Sequence, residues 1–333
     1  MDAPGPITAV AIVVVALAVA WTSAARAQSS SKLPVIGILA TGQARTQAPY
    51  PALERALRAR GLVEGQNVRI DFRLAEGHVD RLPALAAELV RANVDVIVAG
   101  GPLHSLEAAR RATRAVPIVM VAVDYDPVAT GIVDSLRRPG SNITGVFIRQ
   151  VELTPKRVEL LKEIVPQARQ VAILSDRFSG DQLKMAETTA LTFGLHPRPL
   201  TFTTPPYDYA AAFAMLAEER SSSAALVTIG PQFFRDRAVI AQLLARLRIP
   251  TMFPLPEFAD AGGLIAYGAN LDTAFEGAAS YIDKILKGAK PGDLPIEQPT
   301  VFELVVNMKT ARATGVTIPP SVLLRADRLI QKP

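Results

Sequence analysis

Residues 94–123 read VDVIVAGGPLHSLEAARRATRAVPIVMVAV and contain a strand, a helix and a second strand. The runs 95–99 and 117–123 are short and almost continuously apolar, which is typical of strands buried on both faces of a parallel sheet. Between them, residues 105–113 are predicted to form a helix. Two buried strands joined by a helix make a β-α-β unit, so this stretch predicts an α/β fold with a parallel sheet.

The same alternation continues on both sides of this unit. Towards the N-terminus, PVIGILA (34–40) predicts a buried strand and NVRIDFRL (67–74) an edge strand, with helices at 51–60 and 81–91. Towards the C-terminus the alternation pauses at SNITGVF (141–147) and then restarts. Further strands are predicted at 170–174, 198–202, 224–229 and 251–253, and further helices at 155–164, 182–193, 209–219 and 236–247.

Two alternating units in one chain predict two α/β lobes. Residues 263–267 and 272–286 look like further pieces of the first unit. We therefore assign residues 33–145 and about 255–298 to an N-terminal lobe, and residues 146–254 and about 299–333 to a C-terminal lobe. The predicted fold class is α/β, with two doubly wound parallel-sheet lobes hinged as a clamshell. A ligand is expected between them, because open α/β sheets bind ligands beyond the carboxyl ends of their strands.

The composition narrows the class of protein. The 333 residues include 36 basic and 31 acidic side chains, which is a small and scattered basic excess. Aromatic residues are not interleaved with the basic groups, so we expect no binding of nucleic acid. The sequence contains no Cys. It therefore predicts no disulfide framework, no thiolate catalysis, no Cys-based zinc site and no lipid anchor attached to a cysteine.

The first residues have the pattern of an export signal. Residues 7–20 read ITAVAIVVVALAVA, an apolar run shorter than a comfortable membrane span. Ala25 and Ala27 follow it in the A-x-A pattern of a cleavage site, so residues 1–27 are predicted to be a signal peptide and the protein to be periplasmic. Asp2 is acidic and no Lys or Arg precedes the apolar run, which departs from the usual pattern. An uncleaved membrane anchor therefore stays open as the alternative.

Several segments, taken in their order and spacing, carry a resemblance to one family. They include PVIGILATG (34–42), VDVIVAGG (94–101), DPVATGIVDSLRRPGSNITGV (126–146), RVELLKEIVPQARQVAIL (157–174) and FADAGGLIAYGANL (258–271). Together they resemble the ABC transporter substrate-binding proteins that include tryptophan- and tyrosine-binding receptors. The resemblance spans nearly all of the chain beyond residue 33 and implies a type I periplasmic-binding fold with three hinge crossings and no enzymatic activity.

The loops after the strands of the first lobe are expected to face the cleft. Thr41 and Gly42 end the first strand and offer a hydroxyl and a bare backbone. The turn at 101–105 leaves a strand and opens a helix, so its N–H groups suit a carboxylate. A tight turn capped by Ser105 is the structural alternative. The candidate ligand contacts of this turn are Gly101, Pro102, His104 and Ser105.

Carboxylates follow the next buried strand. Asp124 and Asp126 are candidates to pair with a ligand ammonium, and Tyr125 is a candidate to stack on an aromatic ring. The alternative is that Asp126 caps the turn before Pro127. Arg177 is a candidate clamp for an anionic ligand from the second lobe. The other candidates from that side are Asp176, Gly230 and Pro231, with Glu257 as an amine partner and Phe258 as an apolar wall.

Other classes of function lack their motifs. The sequence has no G-x-S-x-G, H-E-x-x-H, Walker A or strand-following G-x-G-x-x-G stretch, so we expect no enzyme and no cofactor. The three histidines, at 78, 104 and 196, are far apart in sequence, and no metal site is expected. A transcription regulator of the same fold would need a helix-turn-helix ahead of residue 34, where the apolar run lies.

The resemblance also implies partners. They are a small organic ligand (an amino acid, aromatic ones included, or a related carboxylate) and an ABC permease in the inner membrane. We expect the protein to act as a monomer. A ligand-sensing subunit that docks on a membrane receptor stays open as an alternative, because the sequence does not separate it from a transport receptor. Small amides also stay open as ligands.

Overall fold

A computed structural model describes residues 33–42, 44–47, 49–217, 223–299 and 301–331 of the chain. The predicted signal peptide at residues 1–27 lies outside these residues. The described residues from Val35 onwards form one compact unit that contains two β-sheets. Within the described ranges, no helix is both long enough and apolar enough to span a membrane.

The first sheet contains five described strands, all parallel, in the order β2-β1-β3-β4-β5. This order reverses direction at β1, as in doubly wound sheets, and helices connect most of the strands. Four of the strands are buried almost throughout, as their apolar sequences predict. The strands are β1 (Val35–Ala40), β2 (Arg69–Leu74), β3 (Val96–Gly101), β4 (Ile118–Val123) and β5 (Ile143–Ile148), and the first three helices are α1 (Tyr50–Ala59), α2 (Leu82–Arg91) and α3 (Leu103–Ala112).

The second sheet contains seven described strands in the order β12-β11-β10-β9-β8-β6-β7. β10 and β11 pair antiparallel, and the other neighbouring strands pair parallel. The strands are β6 (Gln170–Asp176), β7 (His196–Phe202), β8 (Ser223–Val227), β9 (Thr251–Phe253), β10 (Ile265–Gly268), β11 (Glu303–Asn307) and β12 (Arg328–Ile330). The remaining helices are α4 (Gln150–Ile164), α5 (Gly180–Thr192), α6 (Tyr209–Ala217), α7 (Pro231–Arg235), α8 (Arg237–Arg246), α9 (Pro256–Asp260), α10 (Leu271–Leu286), α11 (Met308–Thr314) and α12 (Pro320–Leu323).

The two sheets confirm the predicted α/β class with two parallel-sheet lobes, but the chain returns to the first lobe later than predicted. Residues 255–298 were assigned to that lobe, whereas β10 pairs with β9 and β11 in the second sheet. The return occurs at Asn270, which caps α10, and α10 then packs against α1, β4 and β5. The sequence of a short apolar strand does not show which sheet it joins, because the strands that pair with it are distant in sequence.

The chain crosses between the sheets at three places: after β5, after β10 and before β11. Arg157 on α4 links the first two crossings and is only 1% exposed. Its guanidinium donates to the carbonyl oxygens of Tyr267 at 2.7 Å and Pro254 at 2.9 Å, and it also contacts Gln150. Burial lowers the pKa of Arg157 to about 9. A buried cation that donates to several backbone carbonyls fixes their spacing, so Arg157 holds the hinge segments together.

The NITG stretch owes its glycine to close strand packing. Gly145 on β5 has a φ of +136°, and a Cβ there would lie 2.1 Å from the carbonyl oxygen of Met120 on β4. No side chain fits that gap, and few non-glycine residues adopt that φ. The glycine therefore allows β4 and β5 to pair over their whole length, up to the point where both strands reach the cleft.

Candidate functional site

A cavity of about 840 Å³ lies between the two lobes. This volume is in the range of pockets that enclose a small organic ligand. Loops after β1, β3 and β4 line it from the first lobe, and loops after β6, β8 and β9 line it from the second. The predicted site residues that line it are Thr41, Gly42, Gly101, Pro102, His104, Asp124, Tyr125, Asp126, Gly230 and Pro231.

Ser105 and Asp176 were predicted to face the cleft but do not line the cavity. Ser105 is 0% exposed, because the first turn of α3 points its side chain into the lobe. Asp176 is also buried, and its Oδ1 accepts hydrogen bonds from the Phe178 N–H and the Ser179 hydroxyl, both at 3.0 Å. A Cβ on Gly230 would lie 2.1 Å from the Asp176 carboxyl, so this glycine is required by close packing. Both predicted residues therefore make internal contacts of their lobes.

Glu257 and Phe258 also lie away from the cavity lining. The Glu257 carboxyl accepts a hydrogen bond from the Leu271 N–H at 3.0 Å, at the start of α10. Phe258 is fully buried and stacks on Phe253 with ring centroids 5.3 Å apart. Sequence reasoning placed both at the cleft because they follow β9. However, α9 begins at Pro256, so Phe258 points into the second lobe and the Glu257 carboxyl lies against the start of α10.

The turn from β3 into α3 has the geometry expected of an anion site. Gly101 has a φ of +99°, and Pro102, the N-cap residue of α3, provides no side-chain cap. Pro102 has no N–H, and the Ser105 N–H donates to the Pro102 carbonyl oxygen at 3.0 Å, so the N–H groups that the helix start offers to an anion are those of Leu103 and His104. They carry the positive end of the helix dipole. The ring of His104 contacts that of Phe178 in the opposite lobe, with centroids 4.9 Å apart. Burial lowers the pKa of His104, Glu107 raises it, and the charge of Arg177 lowers it again.

Asp124 lies at the end of β4, where its backbone is held in an uncommon conformation. Its φ is +66°, and its N–H donates to the carbonyl oxygen of Ile148 at 2.9 Å. The Gln182 side chain, from the opposite lobe, donates to Asp124 Oδ2 at 2.6 Å. Burial raises the pKa of Asp124 to about 7, although the hydrogen bond from Gln182 and the charge of Arg157 act in the opposite direction. This carboxyl is therefore poised to ionise when a cation approaches.

Asp126 and Tyr125 have partly structural roles. Asp126 Oδ1 accepts from the N–H groups of Val128 and Ala129 at 2.9 and 3.1 Å, so it caps the following turn as the alternative interpretation proposed. Its Oδ2 lies 3.6 Å from the guanidinium of Arg149. Tyr125 is 9% exposed and packs in the core of the first lobe. It contributes to the cavity wall, but most of its ring is not available for stacking.

Aromatic side chains form the apolar part of the cavity wall. Tyr50 and Phe275 come from the first lobe and contact each other edge to face, with centroids 5.8 Å apart. Phe178 and Phe234 come from the second lobe. These four were not predicted as site residues. Tyr50 and Phe275 lie on helices, so the rule that ligands contact strand-end loops does not identify them.

Basic side chains dominate the charged part of the second-lobe wall: Arg177, Lys184, Arg235 and Arg237, with Asp181 as the acidic exception. Arg235 pairs with Asp236 at 3.0 Å. The guanidinium groups of Arg177 and Arg237 lie over the rings of Phe178 and Phe234, both at 4.7 Å. Among the described residues, neither of these two arginines nor Lys184 has a carboxylate partner. The wall can therefore stabilise an anionic group of a ligand.

The described residues contain no group of three or more His, Asp or Glu side chains arranged to hold a metal ion. The chemistry that this cavity offers is the recognition of charged and aromatic groups. It has helix N–H groups and guanidinium groups for an anion, carboxyls for a cation, and rings for an apolar body.

The comparisons with known proteins agree on one kind of protein. The sequence profile of the family described as ABC transporter substrate binding protein matches residues 36–330. A tyrosine-binding protein of Clostridioides difficile (strain R20291) is 24% identical over 262 residues, which are 78% of this chain and 74% of that protein.

Solved structures give the same fold. A conserved domain protein from Vibrio cholerae O1 biovar eltor superposes with a TM-score of 0.79 at 25% identity, covering 90% of this chain and 100% of that one. The ABC domain from Streptococcus pneumoniae in complex with L-Trp has a TM-score of 0.76 at 23% identity, with the same coverage.

Proposed function

Because this chain belongs to the family of ABC transporter substrate-binding proteins, we propose that it captures a small aromatic carboxylate, amino acids foremost, between its lobes. The observation that carries this proposal is the cavity itself. It is large enough for one such molecule and combines aromatic walls with separate basic and acidic regions. The ligand would be bound and released unchanged, since the cavity has no assembled nucleophile or metal site among the described residues.

The carboxylate is placed between α3 and Arg177. His104, in the first turn of α3, contacts the Phe178 ring, the Arg177 guanidinium lies over the same ring, and all three residues line the cavity. Helix N–H groups and a guanidinium both make charge-assisted hydrogen bonds to a carboxylate. Together they would anchor the anionic end of the ligand from both lobes, which favours the closed arrangement.

An amine, where the ligand has one, is placed beside Asp124 and Asp126. Both carboxyls line the first-lobe side of the cavity. An ammonium near Asp124 would return its carboxyl to the ionised form and form a charge-assisted hydrogen bond. The rings of Tyr50, Phe275 and Phe234 would then enclose the aromatic body. The names of two similar proteins, one tyrosine-binding and one solved with L-Trp, support an aromatic ligand.

Delivery to a permease is part of the proposal. Receptors of this type release their ligand to an inner-membrane ABC permease, and the predicted signal peptide at residues 1–27 would export this chain to the periplasm as a monomer. A ligand-sensing subunit on a membrane receptor is the second candidate. The mature N-terminus of the exported protein, determined by mass spectrometry, tests the predicted cleavage after Ala27.

Three ligands that share one phenylethyl skeleton test the proposed chemistry. L-phenylalanine carries both charged groups, 3-phenylpropionate lacks the amine, and phenethylamine lacks the carboxylate. At 100 times its Kd, a ligand stabilises the native state by about 2.7 kcal/mol, which a thermal unfolding scan detects. We expect shifts with the two carboxylates and with L-Trp and L-Tyr, and none with phenethylamine. A shift with phenethylamine alone, or none with any carboxylate, would contradict the proposal.

A further inference from the structure

Gln182 has an unusual set of contacts for a buried amide. It lies in the first turn of α5, is 1% exposed and does not line the cavity. Its Oε1 accepts from the Ile229 N–H at 3.1 Å, and its Nε2 donates to the Ile229 carbonyl oxygen at 3.3 Å. The same Nε2 donates across the cleft to Asp124 Oδ2 at 2.6 Å. One side chain thus connects a backbone segment of the second lobe to a carboxyl of the first.

This connection joins two segments that both face the ligand cavity. Ile229 precedes Gly230 and Pro231, which line the second-lobe wall, and Asp124 lines the first-lobe wall. The left-handed backbone at Asp124 and its hydrogen bond to Ile148 limit where the carboxyl can point. The amide of Gln182 is equally fixed by its two contacts to Ile229. The 2.6 Å hydrogen bond therefore requires the two lobes to lie at one separation.

We propose that Gln182 is a positioning residue for closure, whose amide forms a hydrogen bond to Asp124 when the lobes close and orients that carboxyl towards the ligand. This inference rests on the proposed function, because it assumes that a ligand is captured between the lobes. Gln182 itself does not touch the ligand. It acts through Asp124 on one side and through the Ile229–Gly230 backbone on the other.

The other charged groups around Asp124 are Arg157 on α4 and Asp181 on α5. The charge of Arg157 lowers the pKa of Asp124, and that of Asp181 raises it. Replacing Gln182 by Glu would place a second carboxylate beside Asp124. At high pH both groups are ionised, and their repulsion would disfavour contact between the lobes. Replacing Asp124 by Asn at the same time would restore a donor and an acceptor with reversed direction. The pair can therefore be broken by one substitution and repaired by a second.

The experiment measures lobe separation and affinity together. The sequence contains no Cys, so a spin-label pair at Arg111→Cys on α3 and Leu191→Cys on α5 reports the distance between the lobes. Distances are measured without ligand and with saturating 3-phenylpropionate, which has no amine to respond to Asp124. The variants are Gln182→Leu, Gln182→Glu and Asp124→Asn/Gln182→Glu. Thr228→Val is the matched control, because Thr228 makes buried hydrogen bonds only within the second lobe.

We expect Gln182→Leu to bind 3-phenylpropionate about tenfold more weakly and to shift the distances towards the open form, as loss of one hydrogen bond to a carboxyl predicts. Gln182→Glu should lose more affinity at pH 8 than at pH 5.5, and the double variant should recover closure at pH 8. Thr228→Val should lower the unfolding temperature but leave distances and Kd unchanged.

Two results would overturn the assignment of Gln182. One is a Gln182→Leu protein that closes and binds like the unsubstituted chain, and the other is a double variant that closes no better than Gln182→Glu. A failure of the proposed function looks different: 3-phenylpropionate would then not bind the unsubstituted chain. In that event the ligand-free distances of the Gln182 variants still decide whether this contact stabilises closure.

Discussion

The two walls of the cavity differ in charge and in the kind of group that they present. The first lobe offers backbone N–H groups at the start of α3, together with the carboxyls of Asp124 and Asp126. The second lobe offers long basic side chains, with Arg177 and Lys184 unpaired among the described residues. The proposed closure would therefore bring the fixed, compact wall of the first lobe against the flexible, basic wall of the second lobe. A ligand with both an anionic and a cationic group can gain contacts from each wall, and this sets its orientation.

The largest expected effect comes from blocking the anion site of the first-lobe wall. Gly101→Val would place a branched side chain where the carboxylate approaches the N–H groups of α3, and we expect at least about a hundredfold loss of affinity, since the anion would lose its charge-assisted hydrogen bonds. A Cβ at residue 101 would meet only the Thr41 hydroxyl, at 3.5 Å, so the fold has room for it. Isothermal titration with L-phenylalanine measures the loss.

The control for this substitution must carry the same backbone strain. Gly61 has a φ of +82° and open space around its Cβ position, and it does not line the cavity. Gly61→Val and Gly101→Val should each lower the free energy of unfolding by about 1–3 kcal/mol because both place a branched residue at a positive φ. Only Gly101→Val should lose affinity. Equal affinities in the two variants would contradict the assignment of an anion site to the first-lobe wall.

A smaller effect is expected from the flexible wall. Arg177→Met keeps an apolar chain over Phe178 but removes the charge, and it should weaken carboxylate binding about five- to tenfold, because Arg177 is exposed and its charge is partly screened. The loss should shrink in 0.5 M salt. Arg111→Met is the control, because it removes the same positive charge from the protein. The Arg111 side chain is 74% exposed on α3 and does not line the cavity. If both variants bind L-phenylalanine equally well, the second-lobe wall does not recognise the carboxylate.

The sequence predicts the compact wall better than the flexible one, for a physical reason. Short apolar runs locate strands, and the strand-end rule then places Gly101 and Asp124 of the first-lobe wall at the cavity. In the second lobe the same rule places Gly230 correctly but misplaces Asp176 and Glu257. The prediction for Ser105 was wrong because the position of a residue within the helical turn decides where its side chain points. The strand-end rule identifies the loop but not the direction of each side chain in the turn that follows it. Lys184 lies a full turn into α5, where that rule does not apply.

The hinge shows the same limit more strongly. Nothing local distinguishes Arg157 or Gln182 from the exposed arginines and glutamines of other helices. Their roles depend on carbonyl groups of Pro254, Tyr267 and Ile229, which are 47 to 110 residues away in sequence. The prediction that β10 belongs to the first lobe was wrong for the same reason, since β10 pairs with β9 and β11 in the second sheet. Local patterns predict which elements form, and contacts between distant segments decide which of them assemble and which side chains they bury.

The smallest effect is a proton count, and it tests whether an amine faces the first-lobe wall. Burial raises the pKa of Asp124 to about 7. A complex with 3-phenylpropionate should therefore hold this carboxyl about half protonated at pH 7, whereas the ammonium of L-phenylalanine should ionise it. The two complexes then differ by about half a proton at pH 7, rising towards one at pH 6 and vanishing above pH 8. The difference does not depend on whether the free chain is open or closed, because both titrations start from the same state.

Titration calorimetry in two buffers of different ionisation enthalpy measures these proton numbers directly. Asp124→Asn is the control, and it should bring the two ligands to the same proton number at every pH. The direction of the difference is fixed by the sign of the shift: a raised pKa binds more protons in the complex without an amine, so the affinity for 3-phenylpropionate relative to L-phenylalanine should rise as the pH falls from 8 to 6. If both ligands exchange the same number of protons with the unsubstituted chain, the ammonium does not lie beside Asp124, and the orientation inferred from the two walls must be reversed.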